Sequence, residues 1–307
     1  MSRLERPNPP PDDVAVAQAW YRPATRVLPV TARGHLGFTA PGRVGFARAV
    51  GAWEPGTDLL LGTVAGAPVF VRLVADDDAL AELLAPARPE VITGLRGVLD
   101  EVDDDLDLAL AAVALAQWHA GAGFCPACGS PTRVVPDGGA RACPACQTEL
   151  YPRIDPAVIV AVVGPGDRLL LARQPVWAPR RYSVLAGYVE AAESAEQALR
   201  REVAEEVDLH DLTEIAYVGS QPWPFPRSLM LGYTARTASA DFRVDGREIE
   251  HARWFTRDEL ASAVASREIG LPSRHSTAMR LINRWWHPDG PSAPPPADRT
   301  PRPASGR

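Results

Sequence analysis

The sequence predicts an α/β sandwich over residues 153–286, preceded by a four-cysteine module over 121–152 and an α+β domain over 14–120. Three observations carry this reading. Short apolar runs bounded by Gly/Pro turns interleave with helical stretches, two of which open on capping-box patterns, Ser194-x-x-Gln197 and Thr256-x-x-Glu259. Strands and helices mixed in this way suit helices layered on a sheet. All four cysteines fall in two Cys-Pro-Ala-Cys knuckles between these parts.

Composition bounds the rest. A 307-residue chain with 46% apolar residues can bury two or three cores. The net charge is −6, which implies no broad attraction to nucleic acid or to an anionic membrane. The chain has no lysine, so apart from histidine every basic side chain is arginine. No apolar run reaches transmembrane length and no signal-peptide core opens the chain, so a cytoplasmic protein with no membrane partner is expected. Residues 1–13, rich in Pro and Asp, and 287–307, rich in Pro, Ser, Gly and Arg, are expected to be disordered.

In the first domain, Leu59–Val64 and Val69–Val74 read as two strands of a hairpin around Ala65-Gly66-Ala67. Asp105–Ala120 carries Leu106, Leu108, Leu110, Val113, Leu115 and Trp118, which suits a helix buried on much of its surface. No catalytic constellation is visible there, and a structural or dimerisation role is expected. Next come Cys125, Cys128, Cys143 and Cys146, with Gly138-Gly139 between the pairs for a hairpin turn. Two disulfides are the bland reading, which a cytosolic chain disfavours. Two Cys-x-x-Cys pairs read instead as a four-cysteine zinc ribbon, although the fourteen-residue gap is slightly short. A closed set of four thiolates is structural, so one zinc per chain would fold the ribbon and leave the chemistry elsewhere. Ribbons of this kind also bind nucleic acid, and that alternative stands beside the structural one.

From Ala157 the pattern reads strand to Val163, a turn at Gly164-Pro165-Gly166-Asp167, and strand from Arg168 to Ala172. Trp177–Val184 leads into a glycine loop at Gly187. A helix follows from Ser194 to Val207. On it Glu202 and Glu206 are four apart and Glu205 is three from Glu202, so the three carboxylates share a face. Such carboxylates repel one another, and a hard divalent cation with oxygen ligands removes that penalty. A solvated acidic face paired with Arg200 and Arg201 is the bland alternative. Strands follow at Ile215–Ser220, Ser228–Thr237 and His251–Phe255, then helices from Thr256 to about Ala265 and from Ser276 to Trp286.

A second informative stretch is Ser220-Gln221-Pro222-Trp223-Pro224-Phe225-Pro226-Arg227-Ser228. Three prolines hold it extended, two aromatics offer flat faces, and Gln221, Arg227 and Ser228 offer polar partners. Taken alone it reads as a Pro-rich surface loop.

Two resemblances change that weighting. Gly187, five residues, Glu193, seven residues, then Arg201-Glu202-Val203-x-Glu205-Glu206 resembles the Nudix box of hydrolases that cleave nucleoside diphosphates linked to another group. One position departs, with Asp208 where the family usually has glycine. The site is expected to be a left-handed helix terminus, which Asp tolerates better than other residues, at a small stability cost and no loss of chemistry. The box, the ribbon before it and the Ser-Gln-Pro-Trp-Pro-Phe-Pro-x-Ser stretch after it together resemble the NADH pyrophosphatase branch, over roughly 124–286.

That resemblance implies a Nudix α/β/α sandwich in a homodimer that splits NADH or NAD⁺ into nicotinamide mononucleotide and AMP and removes NAD caps from RNA. It implies a Mg²⁺ or Mn²⁺ cofactor on Glu202 and Glu206, with Glu205 a ligand or the general base. Glu248, in Arg247-Glu248-Ile249, resembles the family's downstream metal-binding glutamate, and the Ala186 carbonyl its backbone ligand. Arg201 is expected to orient a box carboxylate. Tyr151 and Tyr188 match positions that stack a base, with core packing the equal alternative. Residues 220–228 and the backbone of Ala278 are expected at the substrate. Two other functions share these features: an ADP-ribose or broader dinucleotide hydrolase with the same box, and a zinc-ribbon nucleic-acid-binding module whose Nudix domain only senses nucleotide. The intact box disfavours the sensor.

Overall fold

The computed structural model describes residues 3–8 and 10–287, so the C-terminal stretch read as a disordered tail lies, His287 apart, outside the described residues. Two compact units form. Residues up to Ile154 join Pro222–Ser228 in the first, and Asp155–Gln221 joins the chain from Leu229 onward in the second.

The first unit contains α1 (Asp13–Trp20), β1 (Arg26–Thr31), β2 (His35–Ala40), β3 (Arg43–Val44), β4 (Ala47–Arg48), β5 (Asp58–Val64), β6 (Ala67–Val74), α2 (Asp77–Leu84), β7 (Val91–Gly94), α3 (Leu106–Gly121), β8 (Arg133–Val134), β9 (Arg141–Ala142) and β10 (Glu149–Leu150). Its sheets run β4-β1-β6-β5, β3-β2-β7 and, in the ribbon, β10-β9-β8. The β5–β6 hairpin turns at Ala65 and Gly66, both with positive φ, as a tight hairpin requires. Helix α3 lays Ala109, Ala112, Val113 and Ala116 into the same core as Leu28, Leu59 and Val71.

Two features of this unit differ from the sequence reading. Composition predicts disorder at 1–13, yet Glu5 and Thr63 exchange two backbone hydrogen bonds (2.9 and 2.8 Å) and Asp12 caps α1. Backbone pairing of this kind is blind to side-chain composition, which is what the disorder reading rests on. The ribbon, read as a separate domain, shares the unit with the N-terminal residues. Its turn meets β5, because Leu60 N–H donates to Asp137 O (3.0 Å) and a Cβ at Gly138 would lie 2.6 Å from Leu59 Cβ.

The second unit contains β11 (Asp155–Gly164), β12 (Arg168–Arg173), β13 (Leu185–Tyr188), α4 (Ala195–Val207), β14 (Thr213–Trp223), β15 (Ser228–Arg236), β16 (His251–Phe255), α5 (Arg257–Ala265) and α6 (Thr277–Trp286), except that the 222–228 tip joining β14 to β15, with the adjoining ends of both strands, belongs to the first. The sheet runs β14-β15-β11-β12-β16, with β13 also on β11. Strand β11 explains the layering. Val158, Val160 and Val162 enter the core that holds Leu199, Val203 and Val207 of α4. The alternate residues Ile159, Ala161 and Val163 enter the core that holds Leu260 of α5 and Leu281 of α6. A strand buried on both faces reads as a continuous apolar run, and helices on both faces make the α/β/α sandwich. The loop expected at Gly187 is instead strand β13, where Gly187 pairs with Val158. Glycine weakens a strand interior and marks a close approach to the backbone, and here the approaching group is a carboxylate of α4.

Candidate active site

Helix α4 begins on a complete capping box. Ser194 Oγ accepts from Gln197 N–H (3.2 Å) and Gln197 Oε1 accepts from Ser194 N–H (2.8 Å). It ends at Asp208 in the left-handed region, φ 58°, where Asp208 pairs with His210 (3.0 Å) and Arg243 (3.1 Å). Ala198, Leu199, Val203, Glu206 and Val207 form the buried stripe. Glu206 is therefore a carboxylate on the core side of the helix, 2% exposed.

The carboxylates of α4 meet very different surroundings. Glu206 Oε2 is buried without a hydrogen-bond partner. Burial first, then the charges of Glu202, Glu248, Asp245 and Glu205, push the Glu206 carboxyl up to about 9. Burial also raises Glu202, against the pull of Arg201. The Glu202 carboxylate lies directly over β13, since a Cβ at Gly187 would fall 1.9 Å from its Cδ. No side chain larger than hydrogen fits at position 187 while Glu202 stays there. Ala186, the predicted backbone ligand, precedes Gly187 on the same strand. The Glu205 side chain is 60% exposed.

Arg201 ties the loop to the helix. Its Nε and Nη2 donate to the two oxygens of Glu193 (both 2.9 Å), its Nη1 to Glu202 and Glu205 (both 3.0 Å), and Nη2 also to Tyr188 O (2.9 Å). Bidentate guanidinium–carboxylate pairing fixes orientation as well as charge. The Arg201 hydrogen bonds hold Glu193 below the usual carboxylate range.

Glu202, Glu205 and Glu206 line an open cleft of about 430 Å³ with Asp245, Arg247 and Glu248. The lining thus holds five carboxylates and the guanidinium of Arg247, and Arg201 binds two of the five from outside it. Glu248 comes to the helix from the loop before β16. Asp245 and Arg247 were not singled out in the sequence, where Asp245-Gly246 reads only as a turn. The donor set suits a hard divalent cation, because Glu206 keeps an unpartnered oxygen that needs either a proton or a cation.

The remaining predicted residues fall in two groups. In the second unit, Gln221 is bound to the start of α6: its amide nitrogen donates to His275 O, and its Oε1 accepts from Thr277 N–H (2.6 Å) and Thr277 Oγ1 (2.9 Å). Ala278 follows on α6, 5% exposed, Ser220 precedes Gln221 exposed on β14, and Tyr188 is 52% exposed on β13. In the first unit, Trp223 and Phe225 form an edge-to-face pair at 5.1 Å and lean, half-buried, on the core that includes Leu59 and Val113. The Gln117 amide, turned so that its nitrogen faces them, donates to Pro224 O (3.1 Å) and Pro226 O (3.0 Å). Pro222, Pro226 and Arg227 are exposed and Ser228 is buried. Tyr151 is 65% exposed and donates to Glu149 (2.7 Å).

The ribbon brings its four thiols together, with all Sγ atoms within 4.8 Å of one another. Two of the pairs, Cys128–Cys143 and Cys125–Cys146, are 3.5 and 3.7 Å apart, against roughly 3.8 Å between sulfurs of a tetrahedral site with 2.3 Å Zn–S bonds. The two knuckles match in backbone as well as in spacing. Gly129 N–H donates to Cys125 O and Gln147 N–H to Cys143 O (both 2.8 Å), and Gly129 and Gln147 both have positive φ.

An acidic cleft on a capped helix of an α/β/α sandwich, with a four-thiol ribbon before it, defines a zinc-ribbon Nudix protein. The model of the NUDIX domain matches residues 153–275, and that of the NADH pyrophosphatase zinc ribbon domain matches 122–151. A NAD-capped RNA hydrolase NudC of Mycobacterium bovis is 38% identical over 285 residues, covering 89% of each chain. One of Stutzerimonas stutzeri is 46% identical over 190 residues, covering 62% of this chain and 65% of its own. A NUDIX hydrolase structure from Nitrosomonas europaea aligns with a TM-score of 0.35 at 22% identity, covering 49% of this chain and 94% of that one. The chain belongs to the NADH pyrophosphatase (NAD-capped RNA hydrolase) family of zinc-ribbon Nudix hydrolases.

Proposed function

We propose that this protein hydrolyses the diphosphate bond of NADH or NAD⁺ to nicotinamide mononucleotide and AMP, and removes the same group from NAD-capped RNA. The observation that carries the chemistry is Glu206, a buried carboxylate with an unpartnered oxygen, ringed by Glu202, Glu248, Asp245 and Glu205. The relatives' names, NAD-capped RNA hydrolase, support the substrate.

Glu202, Glu206 and Glu248 are the residues that would hold Mg²⁺ or Mn²⁺, with the Ala186 carbonyl beside them on β13. The bound cation would neutralise phosphate oxygens and acidify a bound water. Arg201 keeps Glu202 and Glu205 in place and leaves Glu205 exposed to solvent, so Glu205 is the carboxylate assigned to take the proton of the attacking water. Gln221 spends its amide on the start of α6 and acts on substrate through the Ala278 backbone. Tyr188 and Tyr151, both more than half exposed, are the residues assigned to stack a base. Trp223 and Phe225 are assigned to hold the dinucleotide end on the resemblance of residues 220–228 to the family's Ser-Gln-Pro-Trp-Pro-Phe-Pro-x-Ser stretch. Accordingly, Trp223→Ala should lower kcat/KM for NADH roughly ten- to a hundredfold, the range of one lost base stack, and a diphosphate lacking the nicotinamide half should feel it less. The chain acts as a homodimer in the cytoplasm, where thiols stay reduced.

Mass-spectrometric product analysis on NADH, NAD⁺, NAD-capped RNA and ADP-ribose tests this. Nicotinamide mononucleotide with AMP, or with 5′-monophosphate RNA, is expected. Cleavage of ADP-ribose alone would favour the broader dinucleotide hydrolase. Nucleotide binding without cleavage of any of the four would favour the sensor.

A further inference from the structure

The last carbonyls of a helix have no partner within it. At the end of α4 two of them are taken by one loop: Arg243 N–H donates to Val207 O (3.1 Å) and Asp245 N–H to Glu206 O (3.2 Å). That loop then closes on the Asp245 side chain. Its Oδ2 accepts from Glu248 N–H (3.0 Å) and its Oδ1 from Ile249 N–H (2.9 Å). Gly246, at φ 70°, makes the turn and donates to Ile249 O (3.1 Å). Ile249 is 2% exposed and packs in the core that holds Val203 and Val207 of α4. Glu248 is thus held on one side by the Asp245 clamp and on the other by a core anchor, and both clamp and anchor rest on the helix that carries Glu202 and Glu206.

We infer that Asp245 is a positioning residue for the cleft. Its carboxylate, committed to the amides of residues 248 and 249, sets Glu248 against Glu206 and thereby determines how tightly the cleft holds a divalent cation. The inference rests on the proposed metal role of Glu248. A carboxylate engaged by two backbone N–H groups fixes another group's place, as the outer partners of metal ligands do.

The test is a double-mutant cycle on the full-length, zinc-loaded protein, with Mn²⁺ affinity read by titration calorimetry and no substrate present. Asp245→Ala should weaken Mn²⁺ binding roughly 10- to 100-fold, the usual effect of removing an outer partner. With Glu248→Gln already in place, the same change should add little. Amide exchange of Glu248 and Ile249 in the metal-free protein should speed up in Asp245→Ala. If the two losses simply multiply, Asp245 acts independently of Glu248 and the inference falls. It also falls if Asp245→Ala leaves both affinity and exchange unchanged. If Glu248→Gln alone binds Mn²⁺ like the wild type, the metal role of Glu248 fails first, a separate result. Should Asp245→Ala not fold, Asp245→Asn, which keeps one acceptor, carries the cycle with the same outcomes.

Discussion

In the ribbon, four thiols converge within 4.8 Å of one another from two matched knuckles, two of them buried and two exposed. In the acidic cleft, the carboxylates are strung along one helix face and one loop, from a buried Glu206 to a solvent-facing Glu205. Each cluster concentrates groups that repel when ionised, and each fits a cation. They differ in closure. Four sulfurs saturate a tetrahedral ion and leave no position for a reactant. Open, oxygen-only sites leave positions for water and phosphate. Closure, more than the presence of ligands, separates the part that folds from the part that reacts.

The largest expected effect breaks the open site. Glu206→Gln should lower kcat roughly 10²- to 10³-fold, because one contributor to the transition-state charge clamp is gone. The fold should not suffer. Without a cation, burial pushes the Glu206 carboxyl up to about 9, so folding near neutral pH must draw a proton onto it, a cost an amide does not carry, and the metal-free variant should melt at or above the wild-type temperature. Turnover close to wild type at saturating Mg²⁺ would defeat the metal assignment of Glu206.

Cys143→Ser is the mirror experiment on the closed site. The wild type should contain about one zinc per chain by elemental analysis, and the variant should lose it. Melting temperature should fall, while kcat measured below the new transition should hold. A variant that keeps its melting temperature and loses turnover would place chemistry in the ribbon. Wild-type protein without zinc, with two disulfides by thiol titration, would overturn the ribbon itself.

A smaller effect follows from how α3 meets the ribbon hairpin. His119 is 5% exposed, its Nε2 bonded to Gly138 O (2.9 Å) and its Nδ1 to Arg141 Nη1 (3.1 Å). Gly138 O can only accept and Arg141 can only donate, so the ring must be neutral with its hydrogen on Nε2. Burial, despite the Gly138 bond, lowers its pKa to about 4, and Arg141 adds to the lowering. The unfolded chain, near 6.5, therefore binds the proton more readily than the folded one. Stability from this group is complete above pH 6.5 and declines as pH falls toward 4, by about 2 kcal/mol between pH 7.5 and pH 5. Comparing wild type with His119→Gln across that range isolates the term, because the thiols titrate in both. The stability difference should shrink steadily on acidification, and a constant difference would show that His119 charges freely in the fold.

The same contrast shows what sequence can carry. The two clusters were legible because each lies on short, fixed spacings: two Cys-x-x-Cys pairs, and three glutamates within five residues of a capped helix. Strand His251–Phe255 was legible to the residue, since His251 and Arg253 alternate with the apolar Ala252 and Trp254, as a half-buried strand requires. Features that depend on distant partners were not. Strand β13 is four residues with a glycine in it, and only its pairing with β11 and the carboxylate of Glu202 above it explain the glycine. Glu248, more than forty residues from α4 in sequence, is reached only through the family resemblance, since the Asp-Gly turn that brings it there looks like many others. The ribbon's union with the N-terminal residues rests on Gly138 against Leu59, a contact no local pattern encodes. Trp223 and Phe225 were read as faces for a base, yet part of each is spent on the core of the first unit.

The smallest expected effect concerns the one departure in the box, at the C-terminus of α4. Sequence alone expects Asp208 to cost some stability, because a side chain in the left-handed region is strained and glycine is not. The structure supplies two offsets. The backbone N–H of Asp208 donates to Ala204 O (2.9 Å), a bond glycine would keep, but its carboxylate reaches both His210 and Arg243. Those pairs are exposed and weak, but glycine would lose them and would also gain freedom in the unfolded chain. Relief of strain and these losses oppose one another, so Asp208→Gly should move the melting temperature by less than about 2 °C in either direction. Turnover and Mn²⁺ affinity should not change, because Asp208 lies outside the cleft lining. A clear loss of Mn²⁺ affinity would be informative: Arg243, which Asp208 holds, begins the loop that delivers Glu248, and the helix terminus would then belong to the open site rather than merely end it.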